Sequence, residues 1–259
     1  TIPLESGVIQ SNQLVFTANQ AEVIVKEGKS TIALKTEVGG ASIVQSYSLE
    51  PTSYLVDYQL TLNGFENKIA KKNRDFELNW NLMIQGQEKT LEDEELVTSL
   101  YYKYYNESGI ESLSERSDDE ERLQANIHWI SYKQKFFNAT LISPKGFSED
   151  GFNIKVAEVT TPNGIDVRQM SSRLYFPYQF NTSENYNLQF YFGPNKYNSL
   201  KKLDIGLQKI IPLGWGIFGW VNKFIVIPIF DFLSSFISNY GIIILLLTIL
   251  IKLVLFPFM

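Results

Sequence analysis

The chain has 259 residues, is mildly acidic at −5, and has 44% hydrophobic residues, which suits a folded, largely water-soluble chain. It contains no cysteine, which excludes disulfides, iron–sulfur clusters and thiol chemistry, and one histidine, which excludes a multi-histidine metal site. From Lys196 onward six lysines face two aspartates, so that end carries +4 and the residues before it carry −9. That acidic part is expected to have no electrostatic attraction for nucleic acid or for anionic lipid.

From about Leu14 to Phe192 the pattern is that of strands. Tyr54, Val56, Tyr58, Leu60 and Leu62 alternate with Leu55, Asp57, Gln59 and Thr61. Phe76, Leu78, Trp80, Leu82 and Ile84 alternate in the same way with more polar neighbours. A period of two is that of a half-buried strand. Shorter runs predict strands at Ala21–Val25, Thr31–Thr36, Ser99–Tyr105, Phe152–Val159 and Leu188–Phe192. Glu27-Gly28, Gly39-Gly40, Asn63-Gly64, Ser108-Gly109 and Asn163-Gly164 supply the turns between them. Many strands without alternating helices point to antiparallel sheets stacked as a large sandwich. Glu88–Glu95 and Glu111–Arg122 are dense in charge and read as solvated hairpin tips.

Beyond Leu203 the chain changes character. Leu203–Trp220 mixes apolar residues with Lys209, Trp215 and Trp220, following Lys201 and Lys202, the pattern of a helix lying in a membrane interface. Val221–Ile237 is apolar but broken by Pro228 and Asp231, and reads as an approach to the membrane. Asn239-Tyr240-Gly241 then opens Gly241–Met259, an apolar run long enough to span a bilayer, with Lys252 near its middle. A lysine there costs about 2.5–3.5 kcal/mol on insertion scales, so it should face water, protein or substrate rather than lipid. Thr1–Ser6 lacks the regions of a signal peptide. Export would need a targeting segment ahead of Thr1, and the lone lysine calls for further helices beyond Met259.

Catalytic signatures are scarce. His128 lies between Ile127 and Trp129 in a strand-like run and reads as structural, and no nucleophile-elbow or phosphate-loop pattern is present. The reading is of a non-enzyme without cofactor or metal. An alternative is a membrane-anchored sandwich that binds carbohydrate or lipid, in which the helix is an anchor only.

The last third resembles a known family. Tyr191–Ile211 (YFGPNKYNSLKKLDIGLQKII) carries a Y-x-G-P-x-K strand end and a leucine–aspartate step at Leu203-Asp204. An aromatic segment, an N-[WY]-G turn at Asn239–Gly241, and Thr248, Lys252 and Pro257 at family spacing follow. Trp129 and Gln134–Phe137 (QKFF) resemble an upstream piece. Together these are similar to the YidC-type membrane protein insertases of Gram-negative bacteria.

The resemblance implies a periplasmic β-supersandwich over residues 1–198, an interfacial amphipathic helix and connection over 199–238, and a transmembrane helix over 239–259. It also implies an inner-membrane location and a hydrophilic intramembrane groove to which Lys252 and Thr248 belong. Lys252 stands where the family carries arginine, keeping the charge without the planar donor fork. Implied partners are nascent membrane proteins, the Sec translocon, the translating ribosome and membrane lipids.

Overall fold

The computed structural model describes residues 1–72, 75–147, 152–159 and 165–256. The Asn163-Gly164 turn and Pro257 lie outside the described residues. Two compact units divide the chain, one from Thr1 to Ile210 and one from Ile211 onward.

The first unit is mainly β. A nine-stranded sheet runs in the spatial order Thr17–Ala18, Ser30–Val38, Ala41–Leu49, Leu55–Asn63, Ser183–Pro194, Phe137–Ile142, Ile127–Lys133, Ser99–Tyr104 and Glu111–Ser112. A four-stranded sheet has the order Asp119–Leu123, Phe152–Glu158, Asp166–Pro177 and Asp75–Gln85. Every neighbouring pair in both is antiparallel. Ile2–Leu4 and Gly7–Ile9 add a small hairpin.

Alternation places the core between the sheets. Tyr58, Leu60 and Leu62 point inward from the large sheet and meet Phe76, Leu174 and Phe176 of the small one in a single cluster. Tyr132 ties the two together. Its ring stacks on Trp80 at 4.1 Å between centroids, and its hydroxyl donates to the Trp80 carbonyl at 2.7 Å. That hydroxyl is also hydrogen-bonded to the Ser172 hydroxyl at 2.7 Å.

Residues 21–25 do not form the expected strand, and Ile24 is exposed. The edge they would pair with is already engaged. Asn19 Oδ1 accepts from the Ala33 amide at 2.8 Å and Gln20 Nε2 donates to the Thr31 carbonyl at 2.8 Å, so side chains replace the missing ladder. The charged stretches are also more than wet tips. Asp119–Leu123 is an edge strand paired with Phe152–Glu158. Glu94, in the short helix Leu91–Glu95, is 2% exposed, and its Oε2 accepts from the amides of Gln87 at 2.7 Å and Glu88 at 3.1 Å.

Further apolar residues outside the intersheet core are also buried. Trp129, Ile142, Tyr191, Leu200, Leu207 and Ile210 are each at most 2% exposed and stand apart from the intersheet core. The last three belong to an exit segment, which folds as a short helix, Tyr197–Lys201, and a 3-10 turn, Leu207–Ile210. Residues 199–210 fall within the first compact unit.

The second unit is helical. Gly216–Ser234 is continuous helix, built of α turns on either side of a π turn at Asn222–Val226. The π turn sits just before Pro228, where proline removes one amide donor and crowds the preceding turn. A second helix, Tyr240–Leu255, follows, and the rings of Phe230 and Tyr240 stack with centroids 6.0 Å apart.

Candidate functional site

The terminal helix starts where its sequence dictates. Asn239 is extended and its Oδ1 accepts from the amides of Gly241 at 2.9 Å and Ile242 at 3.4 Å, a side-chain N-cap. A run that is apolar apart from Thr248 and Lys252 then carries the helix to Leu255. Thr248 and Lys252, four residues apart, share one face, and both are exposed. The Thr248 hydroxyl donates back to the Ile244 carbonyl at 2.7 Å, which satisfies it without a partner helix. Lys252 occupies the last turn, where a cation complements the helix dipole.

Around these two polar groups many apolar side chains of the second unit are exposed, although Ile243 is buried. Trp215 is 85% exposed, Phe236 76% and Leu253 70%. Among the described residues one helix meets both the length and the hydropathy of a membrane span, and it is Gly216–Ser234, with mean hydropathy 1.5 and no part of that window buried. The run expected only to approach the membrane thus belongs to a nineteen-residue apolar helix. Over the described residues the more apolar terminal helix is the shorter of the two.

The expected single helix over Leu203–Trp220 is replaced by a 3-10 turn, Leu207–Ile210, and the start of a separate helix at Gly216. Gly206, Gly214 and Gly216 have φ of 79°, 91° and 58°, and Pro212 lies among them, so an α-helix cannot run through. Lys209 falls in the 3-10 turn of the first unit, and its Nζ donates to the Ser108 carbonyl. Trp215 is the residue before the long helix, and Trp220 lies on it with its ring 5.6 Å from that of Phe224. The two tryptophans are thus brought together on one element, and Lys209 is not.

The exit segment explains the motif residues upstream. Trp129 Nε1 donates to the Ile205 carbonyl at 3.0 Å. Asn195 Nδ2 donates to the Gln134 carbonyl at 2.8 Å, its Oδ1 accepts from Asn138 Nδ2 at 2.8 Å, and its amide donates to the Phe136 carbonyl at 2.7 Å. The Tyr191 hydroxyl donates to the Pro194 carbonyl at 2.9 Å across Gly193, where a Cβ would come within 2.7 Å of that hydroxyl and of the Tyr54 ring. Trp129, QKFF and Y-x-G-P are thus parts of one clamp on the segment that leaves the sandwich. Spacing alone did not point to the contacts of Trp129 and Asn195, because these join residues 57–76 positions apart.

A recess of about 730 Å³ opens between the sheets of the sandwich, lined by Tyr47, Tyr58, Phe76, Trp80, Phe190 and Arg173 among others. Its one acid, Glu77, is held 3.2 Å from Arg173. No group of three metal-ligating side chains occurs among the described residues. His128 packs edge-on against Tyr105, and burial together with the nearby Lys103 lowers its pKa from the ordinary 6.5.

The family model of the YidC periplasmic domain matches residues 3–230. The chain belongs to the YidC family. It is 37% identical over 260 residues to the membrane protein insertase YidC of Parabacteroides distasonis, covering 96% of this chain and 40% of that protein. It is 31% identical to the protein of the same name from Porphyromonas gingivalis W83, covering 95% of this chain and 40% of the relative. The chain thus spans about 40% of the length of these curated YidC relatives. Among solved structures, a heparan sulfate lyase HepC mutant from Pedobacter heparinus matches 68% of this chain and 22% of its own, at 8% identity and a TM-score of 0.38. That likeness is too slight to carry an argument. The YidC match and the apolar helix mark the chain as part of an inner-membrane protein.

Proposed function

We propose that this chain is the periplasmic domain, together with the membrane-associated helices that follow it, of an insertase that passes hydrophobic segments of nascent proteins into the inner membrane, alone or beside the Sec translocon. The observation that carries the reading is the terminal helix, whose one cation shares an exposed face with Thr248 amid uncovered apolar side chains. In this reading Tyr240–Leu255 spans the bilayer and Gly216–Ser234, with Lys223, Pro228 and Asp231, lies in the interface with Trp215 and Trp220 at headgroup depth.

No covalent step is involved. A wet groove completed by helices of the whole protein solvates the polar tail of a client, whose transfer through hydrocarbon is otherwise prohibitive. Lys252 attracts acidic groups in that tail, and the translating ribosome acts through parts of the protein outside this chain. The test is made in the whole protein, with an insertion assay. Lys252→Arg retains client insertion and Lys252→Glu loses most of it, and an unimpaired Lys252→Glu protein overturns the electrostatic role.

A further inference from the structure

The exit segment shows two unlike faces. Leu200, Leu207 and Ile210 are buried in the sandwich unit and are therefore withheld from lipid. The exposed side carries Lys201, Lys202 and Lys209. Lys103 reaches the same strip from the strand Ser99–Tyr104, its Cε 3.5 Å from where a Cβ on Gly206 would stand. The acids facing this strip are Asp204 on the segment itself and Glu107 beside Lys103. Burial, and after it the neighbouring Lys209, lowers the pKa of Lys103, while Glu107 opposes the shift. The result is a band of positive charge on a unit that is otherwise strongly acidic.

Chain connectivity gives the band a place. Five residues, Ile211–Trp215, join its end to the first residue of the apolar helix, and five extended residues reach at most about 18 Å. A helix held in a bilayer thus keeps the Lys209 end of the strip within reach of the headgroups.

We propose that the strip formed by Lys103, Lys201, Lys202 and Lys209 docks on the anionic headgroups of the bilayer that holds the terminal helices. The acidic remainder of the sandwich is repelled from the same surface, so the strip sets which face of the domain meets the membrane. This inference rests on the reading of the second unit as membrane-associated.

The chain has no cysteine, so single-cysteine probes report without background. The chain is reconstituted with a fluorophore at Ser108→Cys beside Lys209, at Gln59→Cys on the far part of the sheet, or at Leu245→Cys on the terminal helix. Vesicles contain either phosphatidylcholine alone or a mixture with phosphatidylglycerol, each with nitroxide-bearing lipids. Quenching at position 108 should be at least twofold stronger with phosphatidylglycerol, fall toward the phosphatidylcholine level in high salt, and weaken in the Lys201→Gln/Lys202→Gln variant, which leaves the Lys209 contact to Ser108 intact. Position 59 should stay unquenched.

Equal quenching at 108 with and without anionic lipid overturns the proposal, as does quenching that needs dense protein and so reports a second copy. Quenching at 108 that appears only when a client peptide is added overturns it in favour of a protein partner. Absence of quenching at 245 in every vesicle removes the membrane reading itself, and the proposal with it.

Discussion

The sandwich and the terminal helices treat apolar side chains in opposite ways. Leu62 and Leu174 are fully buried between the sheets, whereas Leu245 and Leu253 are 61% and 70% exposed on their helix. The strands hide one face and wet the other, so alternate residues suffice for a core. The helices expose apolar side chains over most of their surface, with few polar residues, which suits a solvent other than water. The boundary between the two regimes falls at Ile210, the last buried apolar residue of the exit segment.

Perturbations sort along that boundary. The largest effect should come from removing the exit segment. Residues 1–198 lack the Leu207 and Ile210 side chains buried with Trp129, and Trp129→Ala within residues 1–210 should cost about 3–5 kcal/mol, read by denaturant unfolding. If ending the chain at Asn198 leaves the unfolding midpoint unchanged, the boundary is misplaced.

Next is Tyr132→Phe, which leaves the Trp80 carbonyl and Ser172 short of a partner between the sheets and should cost about 1–3 kcal/mol in the same assay. Trp129→Phe keeps most of the ring but drops the hydrogen bond to Ile205, for about 1 kcal/mol.

The smallest effect is a pH dependence. His128 has its pKa lowered by burial and by Lys103, so between its folded value and 6.5 the unfolded chain binds more protons. Stability therefore rises with pH through that window and is lost as pH falls through it, with no further contribution from His128 below the folded value. Unfolding midpoints between about pH 5 and pH 7 should lose part of this slope in His128→Gln.

Much of the sandwich was legible because period-two alternation survives where inward residues are apolar, as in Leu55–Asn63 and Asp75–Gln85. Asp166–Pro177 escaped because Arg168 and Ser172 occupy buried positions on it. Arg168 is 1% exposed and placed 3.3 Å from Glu95 and 3.6 Å from Glu158, so its burial depends on partners far away in sequence. Ala41–Leu49 and Phe137–Ile142 escaped for a similar reason, since Ser42, Ser46, Asn138 and Thr140 interrupt their apolar pattern. The lysines and tryptophans around residue 210 were visible as an interfacial signature. That Leu207 and Ile210 face protein was not, because a buried leucine and a lipid-facing one are the same letter.

The division at Ile210 is tested most directly by amide hydrogen exchange at Lys209, whose N–H donates to the Gly206 carbonyl at 3.1 Å. In residues 1–210 in plain aqueous buffer this amide should exchange as slowly as those of the strand Ile127–Lys133, and the full chain in a lipid bilayer should give the same protection. Fast exchange in water, with protection only in lipid, would contradict the account and make the exit segment part of the membrane region.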